Sequence, residues 1–450
     1  MITVVGTGTQ AGAGAPLADE VLAGAALVVG GRRHLDAVRL PAGAERVVLG
    51  PLAPALDTIA EYVGKELPVL VLASGDPGFF GIVRALAERF GAGRLDVRPG
   101  VSSVATAFAR IGLPWDDAVV VSAHGRALRT AVNVCRARPK VAVLTGPGAG
   151  PAELGAALLR HGAQAPGSAS AGAVAAPAHG SPEPETASSP ASAYPSGGRV
   201  LVVARALGSV DERVERVTPA EAAARDWGTD VSVVLCLDEA RALGAVRTVA
   251  GVPEQPGGWA LDEDAFAHRD SMITKFEVRA LALARLGPRL GDLVWDVGAG
   301  SGSVAVECAR LGAAVVAVEK AADGVARVRA NARAHGVDVA VVHGAAPEAL
   351  AGLDDPDAVF VGGGGRELPD IVGACARRAR RTVVVAMAAL DRVPAARAAL
   401  TAAGFTCDGV LLQASRLAPL PGEVSRLAAT NPVFLLWGVR TQAFSKGVDE

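Results

Sequence analysis

Aromatic residues are scarce in this chain, and the shortage narrows its partners. Only 4% of the 450 residues are Phe, Trp or Tyr, too few for the stacking platforms on which single-stranded nucleic acid is held. Lysine is confined to Lys65, Lys140, Lys275, Lys320 and Lys446. Lys and Arg total 44 against 46 Asp and Glu, a formal net charge of −2. With no basic patch interleaved with aromatics, broad attraction to nucleic acid or to an anionic membrane is excluded. No apolar run is long enough to span a bilayer, and the opening ITVVG lacks a basic n-region or a cleavage site. Cys135, Cys236, Cys308, Cys375 and Cys407 are scattered and form no C-x-x-C pair. They are expected to be free thiols of a cytoplasmic protein. His and Cys show no metal-ligand spacing, so no metal is expected.

What is abundant is Ala, Val, Leu and Gly: half of the chain is hydrophobic, enough for the cores of two or three domains. The stretch Leu293 to Lys320, LVWDVGAGSGSVAVECARLGAAVVAVEK, organises the reading. An apolar strand carrying Asp296 runs into Gly298, Gly300 and Gly302. A helix from Ser303 to Arg310 follows, then a second strand, Ala314 to Val318, ending at Glu319. Glycines permit the sharp turn and the close approach of a ligand. The helix start favours an anionic group. A right-handed crossover sets Glu319 at the carboxyl edge of the sheet, where a carboxylate can accept both hydroxyls of a ribose.

The spacing G-x-G-x-G differs from the G-x-G-x-x-G of dinucleotide binders. Together with the terminal acid it resembles the S-adenosylmethionine (SAM) site of Rossmann-like methyltransferases, with an NAD-dependent dehydrogenase as the rival. Further strands are expected at Val339 to His343, Ala358 to Val361, Thr382 to Ala386, Phe405 to Gln413 and Val433 to Trp437, the last two joined by a loop carrying Arg416. That makes seven strands in a domain spanning 271–440, followed by a tail, 441–450. Thr274 is expected to cap the helix that opens it. Four glycines, Gly362 to Gly365, stand after the fourth strand, where enzymes that methylate base nitrogens usually carry Asp or Asn, Pro, Pro and an aromatic. RNA methylation is thereby disfavoured.

The first 240 residues alternate apolar strands with helices, the pattern of an α/β domain with a largely parallel sheet. Its strands run into Gly6–Thr7–Gly8–Thr9–Gln10, Ser74–Gly75–Asp76–Pro77–Gly78–Phe79–Phe80–Gly81 and Pro99–Gly100–Val101–Ser102–Ser103. In series these runs are similar to the tetrapyrrole (corrin and porphyrin) methylase family, which implies two α/β halves with SAM between them. Residues 163–198 are nearly all Ala, Ser, Pro and Gly, with Glu183 and Glu185 the only charges. Such a segment cannot bury enough apolar surface to order itself and reads as a disordered insertion. Residues 241–270, rich in Pro, Gly and acid towards their end, read as the linker between domains.

ITKFEVRALALA, WDVGAGSGSVAVE, VAVEK, GAAPEAL, DAVFVGGGG and NPVF, placed behind a tetrapyrrole methylase half, resemble the precorrin-6Y C5,15-methyltransferase (decarboxylating) family of cobalamin biosynthesis. The expected fold class is therefore α/β: a tetrapyrrole methylase fold followed by a seven-stranded Rossmann-like class I methyltransferase domain. The resemblance implies methylation of a corrin precursor at carbons 5 and 15, with loss of CO2 from the ring C acetate. It implies one SAM site per domain, a tetrapyrrole substrate and a homo-oligomer. By the same resemblance the first site includes Gly6, Gly8, Gly75, Asp76, Ser102 and Ser103. The second includes Thr274, Asp296, Gly298, Ala299, Gly300, Ser301, Gly302, Glu319 and Ala346. Where that family usually has Asp this chain has Ala345, which removes a polar contact to adenine and leaves the base to backbone groups near Ala346.

Methyl transfer needs alignment and exclusion of water more than a strong base, so no catalytic side chain is assigned. A polycarboxylate substrate needs cations. The candidates are Arg32, Arg33 and His34 in the first domain, and Lys275, Arg279 and Arg416 in the second. A non-catalytic binding module stays open beside the dehydrogenase; it would bind cofactor without turnover.

Overall fold

A strand needs a register partner before it can carry a site, and here the partners fall into three main sheets. The computed structural model describes residues 1–7, 19–162, 198–228, 232–244, 250, 258–270 and 272–440. The expected disorder of 163–198, and Gly8, lie outside the described residues, apart from Gly198. The chain opens with β1 (Ile2–Gly6), α1 (Asp19–Ala23), β2 (Leu27–Gly30), α2 (Arg32–Asp36), β3 (Glu45–Val48) and α3 (Leu52–Gly64). Next come β4 (Val69–Ala73), α4 (Val83–Phe90), β5 (Leu95–Arg98), α5 (Ser103–Ile111), β6 (Val119–Ser122) and α6 (Leu128–Ala137). Then follow β7 (Lys140–Leu144), α7 (Pro151–Gly162), β8 (Arg199–Arg205), β9 (Arg213–Val217), α8 (Pro219–Ala223) and β10 (Ser232–Asp238).

Two compact units divide the chain, the first from Met1–Ala127, Lys140–Gly155 and Gly197–Gly251, the second holding Leu128–Pro139 and Val252–Glu450. The first unit contains two sheets. One has the order β3-β2-β4-β1-β5 and is wholly parallel. Ile2, Val4, Val71 and Val29 point to one face against Ile59 and Leu86, while Val28, Leu70 and Leu72 point to the other against Leu35. The second sheet has the order β6-β7-β10-β8-β9. Only β6 and β7 are parallel there; the remaining pairs are antiparallel, a correction to the largely parallel sheet expected. The stretch from Arg213, for which no element was expected, is strand β9.

In the second unit α9 (Phe276–Leu286) precedes β11 (Leu293–Val297), α10 (Ser303–Arg310), β12 (Ala314–Glu319), α11 (Ala322–Ala334), β13 (Ala340–His343) and β14 (Ala358–Val361). After them come α12 (Leu368–Arg378), β15 (Thr382–Met387), α13 (Val393–Ala402), β16 (Phe405–Leu412), β17 (Ser415–Leu420), β18 (Val424–Ala429) and β19 (Val433–Arg440). Seven of these strands form one sheet, β13-β12-β11-β14-β15-β19-β16, parallel except for the two pairs that β19 makes. Alternation along β11 serves both faces: Leu293, Trp295 and Val297 meet α12, while Val294 meets α9 and α10. The segment carrying Arg416, expected as a loop, is the hairpin β17–β18, with Leu417 opposite Leu427. Residues 258–270, read as linker, include buried Ala260 and Phe266, which join the second unit's core.

Candidate active site

In the second unit the site lies at the carboxyl ends of β11 and β12. Gly298, Gly300 and Gly302 have φ of 74, 58 and 72°, a left-handed series that other residues adopt only with strain. A Cβ on Gly302 would stand 2.9 Å from Val328, and one on Gly298 3.3 Å from the Gly363 nitrogen, whereas Gly300 faces open space. Glu319 ends β12; its Oε2 accepts from Gly300 N at 2.8 Å and its Oε1 from Ala321 N at 2.8 Å. Each oxygen keeps a lone pair for a further donor.

Asp296 is buried on the face towards α10, where its Oδ2 accepts from Ala305 N at 2.9 Å. Its Oδ1 is enclosed with no hydrogen-bond partner among the described residues. Burial, opposed by the Ala305 bond and helped by the Glu319 charge, lifts this carboxyl to about 7. An orphaned acceptor beside a glycine turn, with a diol-sized carboxylate opposite, fits a nucleoside carrying a cationic amino-acid end. Ser301, also buried, has its carbonyl held by Asn331 Nδ2 at 2.7 Å, and Asn331 in turn pairs with both backbone groups of Ala267. Ala299 closes the turn by accepting from Gly302 N at 2.7 Å. Ala346 packs against the core next to Leu350, and no side-chain acceptor stands at Ala345.

Three expectations are corrected. Thr274 does not cap α9: the cap position is Lys275, without a side-chain bond, and Phe276 N donates instead to Glu263 Oε1 at 2.9 Å. Arg279 is fully enclosed, donates to the Thr274 and Leu261 carbonyls and lies 3.8 Å from buried Glu307; a substrate carboxylate has no access to it. Arg416 is forked between Glu263 and Glu277 by four bonds of 2.7 to 2.9 Å, so its charge is spent on holding the hairpin to the start of α9. Lys275 remains half-buried beside them.

In the first unit the loops after β1, β4 and β5 touch. A Cβ on Gly6 would lie 2.1 Å from the Gly75 oxygen and 2.4 Å from Gly100 N. Gly75 is left-handed at φ 55° and packs on Ser102. Ser102 caps α5 through Ala105 N at 3.1 Å, just before Ser103. Asp76 Oδ1 accepts from Gly78 N at 2.8 Å and so shapes its own turn. Arg33 and His34 come together with two residues that sequence reasoning did not single out, Thr7 and Ser74. His34 Nδ1 lies 3.0 Å from Thr7 Oγ1, His34 Nε2 2.8 Å from Ser74 Oγ, and Arg33 bonds both His34 and Ser74. Burial, then Arg33, hold the imidazole down at about 4. Arg32 is exposed. An apolar cavity of about 720 Å³ in the same unit is walled by Phe79, Phe80, Trp115 and Val120.

Two loop-rimmed sheet edges, one a glycine turn closed by an acid and one built from three touching loops, belong to a methyltransferase of composite α/β build. Residues 1–223 match the model of the tetrapyrrole (corrin/porphyrin) methylases, and residues 264–439 that of the precorrin methyltransferase domain. A precorrin-6Y C(5,15)-methyltransferase [decarboxylating] of Sinorhizobium is 36% identical over 373 residues, 81% of this chain and 79% of that one. A protein of the same description from Mycobacterium tuberculosis is 32% identical over 95% of this chain and 93% of its own. A cobalt-precorrin-7 C(5)-methyltransferase of Salmonella typhimurium is 36% identical over 36% of this chain and 79% of its own. The chain belongs to the precorrin-6Y C(5,15)-methyltransferase (decarboxylating) family. The dehydrogenase reading of the glycine turn closes here.

Proposed function

We propose that the chain methylates precorrin-6Y at carbons 5 and 15 and removes CO2 from the ring C acetate, as a step of cobalamin biosynthesis. The observation that carries this is the succession of both family matches on one chain. SAM, when bound, supplies an electrophilic methyl group on a sulfonium. We assign it two sites. In the second unit Glu319 would hold the ribose hydroxyls and the turn Gly298–Gly302 the amino-acid end, with Asp296 supporting that turn from the end of β11. In the first unit the touching loops at Gly6, Gly75, Asp76, Ser102 and Ser103 would hold it largely through backbone groups.

We assign carbon-5 methylation to the first unit, a division of labour in keeping with separate relatives named for the C(5) and the C(15) reaction, each matching 36% of the chain. Carbon-15 methylation and decarboxylation fall to the second. The aromatic-walled cavity beside Phe79 and Phe80 suits the apolar face of a flat macrocycle. Arg32 and Arg33 in the first unit and Lys275 in the second are the cations left to meet its carboxylates. Enclosure by the aromatic walls would keep water from the methyl group transferred in the first unit.

The exposed apolar pair Leu417 and Leu427 on the hairpin supports self-association into a homo-oligomer. No helix among the described residues is long and apolar enough to cross a membrane. The cysteines, mostly buried and in no disulfide, suit a cytoplasmic setting.

Mass spectrometry of precorrin-6Y incubated with the chain and SAM tests this reading. Two added methyl groups with one lost CO2 are expected; a product with neither change would overturn it. Titration with S-adenosylhomocysteine should find two sites per chain.

A further inference from the structure

The cluster of Thr7, Arg33, His34 and Ser74 is more than a cation for a carboxylate, because its hydrogen bonds fix one protonation pattern. Thr7 Oγ1 donates to the Ala73 carbonyl at 3.1 Å. Its oxygen therefore receives from His34, whose Nδ1, 3.0 Å away, carries the ring proton. Arg33 Nε, which can only donate, points at His34 Nε2 at 3.2 Å, so that nitrogen bears the lone pair. Both arguments give one tautomer, and it makes Ser74 Oγ, 2.8 Å from Nε2, the donor of its own hydroxyl proton to His34. A second guanidinium nitrogen of Arg33 donates to Ser74 Oγ and stabilises negative charge there.

Ser74 is exposed at the carboxyl end of β4, next to the ends of β1 and β2, the edge where a parallel sheet holds its ligands. A serine whose proton is drawn off by a neutral imidazole, itself oriented by a third group, is the arrangement of an activated hydroxyl.

We propose that Ser74, acting with His34, takes the proton released when the first unit methylates a ring carbon. The inference rests on the function proposed above. A methine carbon gives a π-electron pair to the new C–C bond while the departing C–S pair stays on sulfur. It then carries both its methyl group and its original hydrogen, and the ring system holds the positive charge. Breaking that C–H bond returns the pair to the ring and restores conjugation. The proton goes to Ser74 Oγ as the serine's own proton passes to His34 Nε2, and the imidazolium later releases it to solvent.

A C–H bond next to such a cation is strongly acidic, so a weak base suffices. Burial and Arg33 keep His34 neutral and ready to accept at working pH. Of the other charged groups on α2, Arg32 is exposed and Asp36 is turned to Arg46 of β3 at 2.5 Å.

The test uses the full chain with precorrin-6Y and SAM, counting methyl groups and CO2 loss separately. His34→Ala should slow one methylation by about a hundredfold or more, the scale of general-base catalysis. The other methylation and the decarboxylation should proceed at the wild-type rate. Added imidazole should restore part of the lost rate in His34→Ala, and a substrate deuterated at the methylated carbon should show a larger isotope effect than in the wild type. Ser74→Ala, at an exposed position, guards against a folding defect: it should be equally slow but unresponsive to imidazole. S-adenosylhomocysteine should bind both variants as it binds the wild type. Variants that add both methyl groups at the wild-type rate, or a slow His34→Ala that imidazole never rescues, overturn the relay alone. A wild-type chain that adds no methyl group overturns the relay and the proposed function together.

Discussion

Gly300 and Glu319 are joined by a 2.8 Å hydrogen bond from backbone nitrogen to carboxylate, so the turn after β11 and the acid ending β12 form one preset unit. Glu319→Ala therefore removes both the ribose acceptor and a brace of the turn. We expect S-adenosylhomocysteine affinity at the second-unit site to fall by about ten- to a hundredfold, the worth of one or two charge-assisted bonds. Calorimetry should then count one strong site in place of two. One methylation and the decarboxylation should be lost while the other methylation persists; retention of all three would refute the division of labour.

Asp296 gives a pH signature. Its carboxyl stands at about 7 in the folded chain against an ordinary 3.8, so the folded state binds the extra proton. The group's favourable state is fully present below 3.8 and is lost as pH rises through 7. Asp296→Asn, whose amide oxygen can still accept from Ala305, removes the titration. Its melting temperature relative to wild type should rise between pH 4.5 and pH 8. An unchanged difference would show that the buried oxygen costs nothing.

Glu263 gives the opposite sign. The Arg416 bonds hold its carboxyl at about 2, well below the usual carboxylate range. The stability it lends is present above about 4.5 and disappears as pH falls through 2. Arg416→Ala should cost on the order of 1 kcal/mol at pH 7, discounted because the guanidinium is partly exposed. In urea melts the gap from wild type should narrow towards pH 3. Substrate affinity should change little, since the arginine is committed to two carboxylates.

Gly6 separates the two activities by geometry. A Cβ there would collide with backbone at Gly75 and Gly100, and backbone cannot swing away as a flexible side chain can. Gly6→Ala should abolish the first unit's methylation and leave the second unit's methylation and CO2 loss intact in the same product assay.

Thr7→Val keeps the volume at that position but removes the oxygen that orders the His34 tautomer. The first unit's methylation should slow by roughly tenfold or more, with cofactor binding unchanged by calorimetry.

The glycine turn was legible because everything it needs is local: a strand, three spaced glycines, a helix and an acid lie within one run of sequence. The seven-stranded sheet was legible for the same reason, most of its strands being largely apolar runs. The hairpin β17–β18 was not, since its leucines face water and Pro419 sits within it, so no buried period marked it. Strand β9 hid behind alternating charge, as RVERV. Arg279 looked like a cation for substrate because spacing along α9 does not say which face is closed over. Ser74 and Thr7 stood in recognised loops. Their partnership with His34 depends on β1, β2 and β4 being neighbours, which is a property of topology rather than of sequence.

The position of β19 has a consequence for timing. It is the last strand described, yet it lies inside the sheet between β15 and β16. A ribosome making this chain can release the N-terminal unit to fold early, but the second unit stays an open, sticky-edged intermediate until Val433–Arg440 has emerged. A nascent chain stalled before that strand leaves β15 unsealed. Chaperone demand during synthesis should therefore concentrate on the interval between the emergence of β15 and that of β19.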